Sequence, residues 1–127
     1  MVCSRISFVI EVLKKKVKNI DLDPVCRMIG KKLCLFDNID FETGDGLNIF
    51  TNEKRNRKSK IVVCTACEHI DSEELYFYLN HKNEDMLVCL QSNNYYEVDS
   101  HINCHDSLQD FIKSLPLKTI LYSGTKR

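Results

Sequence analysis

The sequence predicts an α+β chain. Its main part is a four-stranded antiparallel sheet with two helices on one face, in the order βαββαβ, after a small helical segment with a short β-ribbon. Three observations carry this expectation. Two helix starts carry capping boxes, Asp71 with Glu74 and Asp106 with Gln109. Two short apolar runs, 86–90 and 95–98, flank the turn-forming Ser92-Asn93-Asn94, which is the pattern of a hairpin. Residues 60–65 are β-branched, and residues 117–122 form a closing apolar run. In this arrangement the strand of Ile61 lies beside the strand of Tyr96.

Residues 1–51 open with Ile6, Val9, Ile10, Leu13, Val17 and Ile20 on one helical stripe. Lys14, Lys15, Lys16 and Lys18 lie mostly off it, so an amphipathic helix is expected over 5–18. The simplest reading is a helix packed on its domain; a membrane-surface helix or a mitochondrial presequence is the alternative. Asp23-Pro24 starts a second helix and Gly30 stops it. Strands are expected at 33–36 and 47–50, around turns at Asp37-Asn38 and 44–46, giving a winged-helix-like outline.

Residues 52–59 are polar and basic, and read as a linker or as a phosphate-contacting loop through Lys54, Arg55, Arg57 and Lys58. The main domain then spans 60–123, with helices near 71–80 and 106–115, and residues 124–127 are a polar tail. Ile70 and Leu75 flank the first of these helices at staple spacing.

Composition narrows the function. The 127 residues are 43% hydrophobic and 28% charged, enough for a core. No run approaches the roughly 20 apolar residues of a membrane span. The zero formal charge divides into 13 Lys/Arg against 8 Asp/Glu over residues 1–60, and 5 against 10 over residues 61–127. Seven cysteines, an odd number set mostly in apolar runs, fit free thiols in a reducing intracellular compartment, nucleus or cytoplasm.

On these residues the second half resembles an RNA recognition motif domain, of ferredoxin-like βαββαβ fold. Residues 61–66 stand where that family keeps its short motif, and residues 91–98 where it keeps its long one. The resemblance implies single-stranded RNA stacked on the open sheet face, at positions held here by Val62, Asn93 and Tyr95. Only Tyr95 is aromatic, Gln91 replaces a basic residue, and Glu97 adds a negative charge. Domains lacking the stacking set resemble those that bind protein partners.

The expected function is therefore a non-catalytic module that contacts RNA weakly or scaffolds an RNA-associated complex, as a homo- or hetero-oligomer. The alternative is a protein-interaction or zinc-stabilised adaptor without RNA contact. Cys64, Cys67, His101 and Cys104 are the weak zinc candidates, from a C-x-x-C and an H-x-x-C-H. No metal or other cofactor is expected, and no catalytic motif assembles. A third reading makes the half-domain a fragment or regulatory piece of a larger RNA-processing enzyme, with no active site on this chain.

Overall fold

The computed structural model describes residues 15–125, which divide into two compact units at Gly46 and Leu47. Most of the helix expected over 5–18 lies outside the described residues, and its end, from Val17, is strand.

The first unit is a β-α-β element. Strand β1 (Val17–Asp21) and strand β2 (Ile39–Thr43) pair in parallel, Val17 opposite Ile39 and Asp21 opposite Thr43. Helix α1 (Pro24–Leu33) makes the crossover. It starts where Asp23 accepts a hydrogen bond from the Val25 N–H at 2.8 Å, with Pro24 at the first helical position. Residues 33–36 are therefore not the expected strand: Leu33 ends the helix and Cys34 caps it.

The second unit begins with two short helices, α2 (Asn48–Thr51) and α3 (Glu53–Lys58). The strand expected at 47–50 is thus helical, and it buries Phe50. Residues 53–58, linker-like in composition, are a helix capped by the Asn52 side chain on the Arg55 N–H. Asn56 anchors it. Its amide donates to the carbonyls of Phe50 (2.8 Å) and His81 (2.6 Å), and its carbonyl accepts from the Asn83 N–H (2.8 Å).

Strand β3 (Ile61–Cys64), a 3-10 turn (Cys67–His69), helix α4 (Ser72–Asn80) and strand β4 (Leu87–Leu90) follow. Asp71 caps α4 by accepting from the N–H groups of Glu73 and Glu74. Helix α5 (Leu108–Lys113) closes the order, with Ser107 rather than Asp106 as its cap. The core is Phe50, Cys67, Leu75, Leu79, Met86 and Phe111.

The expected four-stranded antiparallel sheet is corrected by this topology. Strands β3 and β4 form a two-stranded parallel sheet, with Ile61 opposite Leu87 and Cys64 opposite Leu90. The physical reason is that residues 95–98 do not form the strand expected to lie between them, so β3 and β4, parallel because α4 is their crossover, pair directly. Residues 95–98 are not a strand. Asn93 forms an Asx turn onto the Tyr95 N–H at 2.9 Å, and the Tyr95 carbonyl faces the His101 ring, so no ladder continues. Residues 117–122 are irregular, with Tyr122 88% exposed. Among the described residues no helix is long and apolar enough to cross a membrane.

Candidate functional site

The residues expected to stack RNA do not share a face. Val62 packs against the core, Asn93 bonds within its own loop, and the Tyr95 hydroxyl donates to Glu97 Oε2 at 3.1 Å. Lys54, Arg55, Arg57 and Lys58 gather on the single short helix α3, where Arg57 pairs with Glu53.

The four expected metal candidates do not converge as one ligand group among the described residues. Cys64 ends β3 and Cys67 starts the 3-10 turn. The Cys67 Sγ donates to the Cys64 carbonyl at 3.8 Å. The neighbouring Cys67 thiol pushes the Cys64 pKa down, with help from the Ala66 N–H and against burial, and Cys67 itself is pushed up by the pairing with Cys64 and by burial. Cys104 Sγ donates to Asn93 Oδ1 at 3.2 Å and to the Tyr95 carbonyl at 3.4 Å, the carbonyl that the His101 Nδ1 also faces.

His101 converges instead with two residues of the 3-10 turn. One ligand atom each from Glu68, His69 and His101 lies within 4.8 Å of the other two, the one such convergence among the described residues. The rings of His69 and His101 meet edge to face, centroids 4.6 Å apart. Glu68 is only 7% exposed, and its Oε2 has no hydrogen-bond partner. Such an oxygen costs about 1–3 kcal/mol if nothing satisfies it.

The local fold explains the convergence. The 3-10 turn follows β3 directly and carries Glu68 and His69. The segment 91–107 holds no helix or strand and is latched to that turn by buried Asn103. Asn103 N–H donates to the Glu68 carbonyl at 3.0 Å, and its amide donates to the Cys67 carbonyl at 3.3 Å. Irregular segments longer than about 12–15 residues are uncommon in compact domains unless they serve a function. Glu68 and His69 escaped the sequence reading, which sought thiol ligands. The signal was an acidic–histidine pair just after a strand, with another histidine in a long polar segment.

One further surface stands out. The inner side of the β3–β4 sheet, Val62, Cys64, Val88 and Leu90, packs on the core. Its outer side is Ile61 (58% exposed), Val63 (51%), Leu87 (51%) and exposed Cys89. The register sets Ile61 beside Leu87 and Val63 beside Cys89, which makes one continuous apolar face. Parallel sheets are almost always covered on both faces.

No family model matches this chain, and no curated protein or solved structure matches it.

Proposed function

We propose that this chain is a non-catalytic adaptor that binds a helix of a protein partner on the outer face of the β3–β4 sheet. The observation that carries the reading is that face: four apolar side chains of a parallel sheet, all exposed among the described residues. Helices are the elements that cover parallel sheets. Residues 61–127 hold ten Asp/Glu against five Lys/Arg, so the complementary occupant is an amphipathic helix with basic flanks.

The test uses a labelled helical peptide of about 18 residues, with one leucine face and lysines elsewhere. The intact chain should bind it, and Val63→Asp should weaken binding at least about tenfold, the effect of roughly 1.4 kcal/mol. A partner peptide with glutamates in place of lysines should bind more weakly. Equal binding by the wild type and Val63→Asp would remove the reading.

A second reading keeps the RNA contact and moves it to helix α3. What favours it is the grouping of Lys54, Arg55, Arg57 and Lys58 on six residues of helix. Replacing all four with Ala should weaken binding of a single-stranded RNA about equally across sequences and flatten its salt dependence. Unchanged salt dependence would exclude this helix as the contact.

A further inference from the structure

We propose that Glu68, His69 and His101 bind one divalent transition-metal ion of the zinc class, which ties the 91–107 segment to the 3-10 turn. The site is separate from the apolar sheet face and does not depend on the adaptor reading.

The hydrogen bonds set both imidazoles for ligation. The His69 Nδ1 faces the Ser100 carbonyl at 3.0 Å, and the His101 Nδ1 faces the Tyr95 carbonyl at 2.6 Å. A carbonyl oxygen only accepts, so each Nδ1 carries the proton and each neutral ring keeps its lone pair on Nε2. A backbone carbonyl on the far nitrogen is the usual support of a metal-bound histidine, because it holds the tautomer and the ring orientation. Two rings from distant parts of the chain share this arrangement and meet edge to face.

Glu68 supplies an independent indication. It is buried, and its Oε2 has no partner. A buried carboxylate oxygen ordinarily finds a donor, and a cation beside the two imidazoles would satisfy it. Tetrahedral zinc ligands at about 2.0–2.1 Å from the ion lie roughly 3.4 Å apart. One ligand atom from each residue already lies within 4.8 Å of the other two, and side-chain adjustment brings both Nε2 atoms and the Glu68 oxygen onto the ion.

The donors also select the ion. Two imidazole nitrogens and one carboxylate suit zinc and its neighbours; calcium and magnesium favour all-oxygen sites, and Cu(I) favours thiolates. Exposed His69 leaves room for water as the fourth ligand. The consequence is mechanical. Segment 91–107 is held to the 3-10 turn by the Asn103 hydrogen bonds, and the metal adds a side-chain link through His101.

The test uses the full chain, stripped of metal and kept reduced, titrated with Zn2+ by calorimetry and with Co2+ by absorption. The expected result is one equivalent bound, a higher thermal midpoint with Zn2+, and a cobalt spectrum without thiolate charge-transfer bands. Glu68→Gln, His69→Gln and His101→Gln should each weaken binding at least about tenfold. His69 is exposed, so His69→Gln remains decisive if the buried Glu68→Gln variant fails to fold. Absence of binding at about 100 µM metal, near −5.5 kcal/mol, would overturn the proposal. So would full affinity in His69→Gln, or thiolate bands that vanish with Cys64→Ser.

Discussion

Cys64 and Cys67 carry opposite ionisation behaviour within one C-x-x-C. Cys67 is fully buried and donates its S–H to the Cys64 carbonyl at 3.8 Å, and the pairing of the two thiols makes the Cys64 thiolate easier to form and the Cys67 thiolate harder. Only Cys64 has solvent contact, so it is the thiol that an alkylating reagent reaches. Iodoacetamide labelling followed by peptide mass mapping should show Cys64 modified below the ordinary thiol range of about 8.5, with Cys67 untouched. Removing the neighbouring thiol with Cys67→Ala should move the half-maximal pH of Cys64 labelling upward. An unchanged midpoint would show that the Cys67 thiol does not set it. The same turn explains why the ligands of the candidate metal centre were hard to read. Cys67, Glu68 and His69 are consecutive, and only the folded turn separates a core thiol, a buried carboxylate and an exposed imidazole.

Helix α1 lies close to strand β2 because Gly30 has no side chain: a Cβ there would run into the ring of Phe41. Gly30→Ala sets about 1 kcal/mol of gained helix propensity against about 1–3 kcal/mol of overpacking. The expected net result is a destabilised first unit, measured by thermal or urea unfolding, with recovery when Phe41→Leu makes room. A more stable single variant would mean that the ring moves aside at little cost. Gly30 was legible in the sequence only as a helix stop, whereas in the fold it serves a close approach inside the helix. The contrast holds for the elements in general. Asp23-Pro24 and Asp71 with its following glutamates are local signals, satisfied within one turn, and both cap helices as expected. Strand pairing is not local. Met86 to Leu90 has the same alternation whether its neighbour is Tyr96 or Ile61, and the Asn93 turn, which takes residues 95–98 out of the sheet, decided for Ile61. The polar Glu53–Lys58 helix was hidden because its anchor, Asn56, bonds to carbonyls that only tertiary structure brings near.

At the scale of the whole molecule, the open face of the β3–β4 sheet separates what holds the second unit together from what is left for a partner. Successive side chains of a strand point to opposite faces. Val62 therefore packs against the core that contains Leu75 and Phe111, while its neighbour Val63 is half exposed on the other side. The same substitution at the two positions should give opposite outcomes. Val62→Asp places a carboxylate into the apolar core without a partner, and should cost more than about 3 kcal/mol, enough to unfold a marginal domain. Val63→Asp puts the carboxylate into water, and should shift stability by no more than about 0.5–1 kcal/mol while abolishing peptide binding. The measurement is urea unfolding of both variants beside the wild type. Similar losses for the two would mean that the outer face is covered in the free protein, and that Ile61, Val63, Leu87 and Cys89 belong to its core. A large loss for Val62→Asp alone leaves that face free to bind, because its apolar side chains then contribute little to folding and retain their surface for a partner helix.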